Sequence, residues 1–163
     1  MIVNQDAILG IIPARYSSTR LEGKPLKTIG NKTMIEHVYK ACEKELYNLL
    51  VATDDQRIFE TVQAFGGNVV LTDPNHETGT NRCLEAFEKW SKITNKQFEY
   101  ILNIQGDEPL ISRNHLTQLI MVSLLLFITL IMLSYNNLYP LLTLQILGCY
   151  ILITTITTIL CLR

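Results

Sequence analysis

From residue 7 to residue 104, short unbroken apolar runs alternate with stretches whose apolar side chains recur every three or four positions. Ala7-Ile8-Leu9-Gly10-Ile11-Ile12 is the first run. It ends at Pro13 and reads as a strand buried on both faces of a parallel sheet. A loop containing Gly and Ser covers residues 14–24. Residues 33–45 have helical spacing, with Met34, Val38 and Ala41 on one face. Residues 48–53 form a second apolar run, closed by Asp54-Asp55. A second helix is predicted over 56–65, with Ile58, Val62 and Phe65 inward, stopped by Gly66-Gly67. Residues 68–71 make a third strand, 80–90 a third helix carrying Cys83, Leu84, Phe87 and Trp90, and 98–104 a fourth strand. Gln105-Gly106-Asp107-Glu108-Pro109 ends that strand.

Strands alternating with helices in this way predict an α/β fold with a mostly parallel sheet covered on both faces. Such sheets bind ligands outside the carboxyl ends of their strands. The polar clusters of this chain follow the strands: residues 15–24, Asp54, residues 76–82 and residues 105–108.

The pattern breaks after Ile120. Residues 1–120 hold every acidic residue and every basic residue except Arg163, whereas residues 121–163 are nearly half Leu plus Ile. The 163 residues suffice for one ordinary domain. A net charge of −1 excludes any bulk electrostatic case for nucleic acid or an anionic membrane. Phosphate binding would have to come from locally placed cations and backbone N–H groups. Cys42, Cys83, Cys149 and Cys161 have neither zinc nor disulfide-framework spacing, and read as reduced thiols of a cytosolic protein. Residues 1–6 lack a basic segment and a long apolar stretch, so no signal peptide is expected.

Three segments carry candidate chemistry. Arg15, Arg20 and Lys24 lie on one loop leaving a strand, where Ser17, Ser18, Thr19 and Gly23 allow close backbone approach. Such a loop can wrap a polyphosphate, and it reads equally as a solvated basic loop. It is not a Walker A loop. Gln105-Gly106-Asp107-Glu108-Pro109 follows a buried strand. Its carboxylate can hold Mg²⁺ against phosphate oxygens, or the segment is an ordinary turn. His76-Glu77-Thr78-Gly79-Thr80-Asn81-Arg82 opens a helix that Thr78 or Thr80 can cap, with N–H groups free to face a ribose or base or simply to start a helix. His37, His76 and His115 share no metal-ligand spacing.

In order and approximate spacing, I-I-P-A-R-Y-x-S-T-R-L-x-G-K-P-L, V-A-T-D-D, H-x-T-G-T-x-R and N-x-Q-G-D-E-P resemble the 3-deoxy-manno-octulosonate (Kdo) cytidylyltransferases, also called CMP-Kdo synthetases. The resemblance covers about residues 7–120. It implies a doubly wound α/β domain of the nucleotide-diphospho-sugar transferase type that binds CTP and Mg²⁺. It implies that Ala14, Arg15 and Lys24 bind the triphosphate with Arg20 in support, and that Gly79, Thr80 and Arg82 contribute to the cytidine pocket. Gln105 would lie beside the nucleotide and Asp107 would ligate the metal, so that Arg15, Lys24 and Asp107 carry the catalysis. Two positions depart from the family pattern: Glu22 stands where proline is common, and Asn81 where an acidic residue is common. The implied reaction is attack of the sugar acid's anomeric hydroxyl on the α-phosphorus of CTP, in the cytoplasm, for lipopolysaccharide assembly. A sialic-type sugar-acid cytidylyltransferase, or a non-catalytic membrane-associated remnant, are the alternatives.

Nothing after Ile120 resembles the family, whose sugar-acid pocket, further metal carboxylate and homodimer contacts belong to its second half. Residues 121–163 contain no Asp, Glu, Lys or His. They read either as a membrane-inserting segment, with 138–162 long enough to span, or as an out-of-frame translation of AT-rich sequence. The abrupt switch inside the helix-like stretch 113–120 favours the second, and with it a truncated, inactive chain.

Overall fold

A computed structural model describes residues 5–17 and 21–106, and residues 157–161 as backbone pairing. Strand β1 (Ile8–Ala14) lies at the centre. It pairs in parallel with β4 (Leu49–Thr53) on one side and with β6 (Tyr100–Ile104) on the other, and β4 pairs in parallel with β5 (Val69–Leu71). A hairpin of β2 (Thr28–Ile29) and β3 (Lys32–Thr33), turning at Gly30, leads into helix α1 (Met34–Cys42). Helix α2 (Gln56–Ala64) follows β4, and α3 (Gly79–Thr94) joins β5 to β6. With β7 (Thr157–Cys161) beside β6, the five-stranded sheet has the order β5-β4-β1-β6-β7.

The alternation of side chains along β1 splits the core in two. Ile8, Ile12 and Ala14 face Ile35, Val38, Tyr39 and Cys42 of α1 and Ile58 and Val62 of α2. Leu9 and Ile11 face the other way, onto Cys83 and Ala86 of α3 with Leu50, Ala52, Val70 and Ile101. Helices therefore cover both faces, as the unbroken apolar run of β1 requires. Each helix starts on a capping oxygen: Thr33 accepts from the Glu36 N–H, Asp55 from the Arg57 N–H and Thr78 from the Asn81 N–H.

Several expectations shift. Strand β1 runs through Pro13 to Ala14. Gly10 N–H donates to Asn48 on the β4 side, so odd-numbered residues of β1 turn their backbone toward β6. Pro13 thus lacks its N–H on the side where pairing with β6 has already ended at Ile11. Helix α3 continues past Trp90 to Thr94, and Asn95 with a φ of 53° caps it in the left-handed conformation. In that helix Leu84 is exposed and Arg82 and Ala86 are buried. The β2–β3 hairpin had no counterpart in the periodicity.

The 138–162 stretch, long enough for a membrane helix, contains instead β7 (Thr157–Cys161), which pairs antiparallel with β6 from Ile104↔Thr157 to Tyr100↔Cys161. Thr157, Thr158 and Ile159 are β-branched and suit an extended strand better than a helix. Among the described residues no helix is long and apolar enough to cross a membrane. The rest of the 121–163 segment lies outside the described residues.

Candidate functional site

Register brings the chemistry to one edge. Ala14, Thr53 and Leu71 stand level at the carboxyl ends of β1, β4 and β5, so the loops that follow leave the sheet together. Ala14 is buried, Arg15 and Lys24 are half-buried, and the loop between them is pinched at its neck. Gly23 N–H donates to the Tyr16 carbonyl at 2.8 Å. Gly23 has φ 63°, and a Cβ there would come within 2.9 Å of the Tyr16 ring. Only glycine fits both demands. Lys24–Leu26 then forms a single 3-10 turn that starts with Lys24 at the neck. Arg20 lies outside the described residues.

The start of α3 and the end of β6 close on Pro13 from two sides. A Cβ at Gly79 would touch Pro13 Cγ at 3.5 Å. A Cβ at Gly106 would meet the Pro13 carbonyl oxygen at 3.0 Å and Ile12 Cγ2 at 3.3 Å. Glycine at 106 is what lets the segment after β6 lie against the end of β1. Thr80 is exposed at the start of α3, and Gln105 is half-buried beside Gly106. Asp107 lies outside the described residues.

Arg82 occupies a place that its sequence context did not suggest. Its side chain is fully buried, one terminal nitrogen donating to Thr72 Oγ1 and the other to Asp54 Oδ2 at 2.7 Å. The pair ties α3 to the ends of β4 and β5. Arg82 Nε and Asn103 Oδ1 are buried without a hydrogen-bond partner among the described residues. Sequence reasoning placed Asp54 in a polar cluster but gave it no partner, because Arg82 is 28 positions away.

The loop between β5 and α3 is held by Glu85. Its carboxylate accepts from the Asp73 N–H at 2.8 Å and from Lys89 at 2.7 Å, and bonds His76 Nε2. Burial alone would raise the Glu85 pKa. Lys89, the Asp73 amide and His76 outweigh it and hold the carboxyl at about 2, from an ordinary 4.5. Because the folded pKa is depressed, this stabilisation is present above about pH 4.5 and is lost as pH falls toward 2. Allowing for partly exposed partners, about 2 kcal/mol is at stake. Glu85→Gln is expected to flatten the fall of the urea midpoint across that window; a profile parallel to that of the unaltered chain would contradict the assignment.

The thiols of Cys42 and Cys83 are buried, which pushes both pKa values up to about 12 and leaves neither reactive at neutral pH. His37 is engaged with the Ile29 carbonyl at 2.8 Å, holding α1 to the hairpin.

The same segments recur in known proteins. The family model for cytidylyltransferases matches residues 9–123. The 3-deoxy-manno-octulosonate cytidylyltransferase of Fusobacterium nucleatum is 55% identical over 113 residues, 69% of this chain and 44% of that protein. Its namesake from Cytophaga hutchinsonii is 53% identical over 107 residues, 64% of this chain and 41% of that protein. The chain thus spans under half the length of these relatives. Among solved structures, CMP:2-keto-3-deoxy-manno-octonic acid synthetase complexed with CTP superposes with a TM-score of 0.63 at 40% identity, over 70% of this chain and 46% of that one. A cytidylyltransferase from Leptospira borgpetersenii gives 0.58 at 26% identity, over 71% and 48%. With the family model matched from the second residue of β1 through β6, the chain belongs to the cytidylyltransferase family.

Proposed function

We propose that this chain is the CTP-binding half of an enzyme that transfers the cytidylyl group to 3-deoxy-manno-octulosonate, releasing pyrophosphate. The observation that carries the reading is the meeting of three motif segments at Pro13, with Gly79 on one side, Gly106 on the other and the Arg15–Lys24 loop leaving directly after it. The names of the relatives favour Kdo over a sialic-type acceptor.

Arg15 and Lys24 supply the charge that a triphosphate needs, and the glycine neck of their loop lets backbone N–H groups approach it. The exposed start of α3, with Thr80, faces the ribose and base. Arg82 serves the cytidine pocket through the framework it fixes, since its side chain is fully buried against Thr72 and Asp54. Gln105 lies beside the nucleotide. Mg²⁺ would neutralise the phosphates when bound, with Asp107 as a carboxylate ligand. No group of three or more His, Cys, Asp or Glu among the described residues could hold a metal ion. Transfer of this kind rests on positioning and charge neutralisation, with no covalent catalyst. CTP as substrate supports a cytoplasmic reaction.

The test is nucleotide discrimination. The chain is expected to bind CTP more tightly than CMP in a calorimetric titration. Lys24→Ala should cost CTP about 1.5–3 kcal/mol and leave CMP nearly unchanged. Equal affinity of the unaltered chain for the two nucleotides would refute the triphosphate cradle.

A further inference from the structure

The neck of the Arg15–Lys24 loop is braced from outside. The guanidinium of Arg57, in the first turn of α2, lies over the Tyr16 ring with its central carbon 3.2 Å from the ring centroid. Asp55 fixes the plane of that guanidinium through a two-point fork, Nε to Oδ1 at 3.0 Å and Nη2 to Oδ2 at 2.7 Å. Tyr16 is the residue whose carbonyl accepts the Gly23 N–H, and whose ring fills the space that a Gly23 side chain would need. The chain Asp55–Arg57–Tyr16–Gly23 therefore connects the capping residue of α2 to the point where the loop closes.

We propose that Arg57 is a positioning residue of the triphosphate loop, acting through the Tyr16 ring, with no contact of its own to the nucleotide. The inference rests on the reading of that loop as the triphosphate cradle. Two features separate it from a direct phosphate contact. Asp55 already neutralises Arg57, so the side chain contributes shape and stacking more than net charge. Glu22, which replaces the family's common proline, adds to the same arrangement. The Asp55 hydrogen bond first, and the more distant field of Glu22 after it, favour the Arg57 cation. A proline would stiffen the neck by its own ring. In this chain Glu22 stands in that position, and its charge favours the Arg57 cation.

Hydrogen exchange of the Gly23 amide in the ligand-free chain reads the brace directly, and CTP and CMP titrations read its consequence. Arg57→Ala and Tyr16→Ala are each expected to speed Gly23 exchange and weaken CTP binding about fivefold, with CMP binding unchanged. Exchange of the Val51 amide, which donates to Asn68 inside the sheet, should not move. Arg57→Lys should behave like Arg57→Ala, because an ammonium keeps the charge and loses the planar stack. Tyr16→Phe should behave like the unaltered chain, and the Arg57→Ala, Tyr16→Ala pair should be no worse than either alone. Unchanged Gly23 exchange in Arg57→Ala would overturn the proposal, as would rescue of CTP binding by Arg57→Lys. Faster Gly23 exchange in a chain that binds CTP and CMP equally would overturn the triphosphate reading and leave the brace standing.

Discussion

Replacing Arg82 with methionine is expected to lower the stability of the chain by about 3–5 kcal/mol, because it leaves a largely buried carboxylate without its cation. Arg82 is fully buried, and Asp54 keeps only 17% of its side-chain exposure. Methionine fills much of the same volume, so the loss should come from Asp54 Oδ2 and Thr72 Oγ1 losing their donor rather than from a cavity. Adding Asp54→Asn should recover a substantial part of the loss, since the uncompensated charge goes with it. Urea midpoints for the two single variants and the double variant measure this. A loss below about 1 kcal/mol in Arg82→Met would show that the pair contributes little to the fold, and an additive double variant would show that the residues are uncoupled. The consequence reaches the site: Arg82 lies one turn into α3, and the helix start it anchors carries Thr78, Gly79 and Thr80.

What was legible in the sequence divides along physical lines. The central strand was plain because a strand buried on both faces leaves no room for a polar position between Ile8 and Ile12. At the start of α3 the sequence offered Thr78 or Thr80 as the cap, and Thr78 is the one whose oxygen meets the Asn81 N–H; the capping roles of Thr33 and Asp55 emerged only from the structure. The order of the polar clusters also held, since a parallel sheet sends each following loop to the same edge. Less visible were interactions between distant positions. Counting apolar residues in α3 grouped Leu84 with Cys83, and the resemblance gave Arg82 to the cytidine pocket; its full burial was unexpected because arginine is seldom fully buried. Only the fold shows that Asp54 waits for it. The hairpin at Gly30 was missed because two-residue strands carry no period. The close approach of Gly106 to the Pro13 carbonyl, and the stack of Arg57 on Tyr16, likewise depend on elements far apart in the chain. Thr157–Cys161 was hidden by hydrophobicity: an apolar stretch long enough for a membrane helix is also good strand material when it is β-branched.

The 163-residue polypeptide, assayed alone, is expected to bind CTP and to form no detectable CMP-Kdo. The expectation rests on the roles the reaction needs filled. Nucleotidyl transfer requires a bound nucleotide, neutralised phosphates and an acceptor hydroxyl held in line with the α-phosphorus. On the proposed reading, the loop at Arg15 and Lys24, the start of α3 and the segment at Gln105 address the first, and with Asp107 part of the second. The acceptor in the proposed reaction is an anionic sugar acid, so its pocket would need cations or well-placed donors. Residues 121–163 offer Arg163 as their one charged side chain, among scattered Thr, Ser, Asn, Gln and Tyr. The relatives carry more than half of their length outside the matched region. Loss of acceptor positioning alone can forfeit about 7–11 kcal/mol of barrier reduction, roughly five to eight powers of ten in rate. The measurement is chromatographic detection of CMP-Kdo and of pyrophosphate after incubation with CTP, Mg²⁺ and Kdo, alongside a relative of full length as the positive control. Product above background, abolished by Lys24→Ala, would show that residues 121–163 complete a working acceptor site.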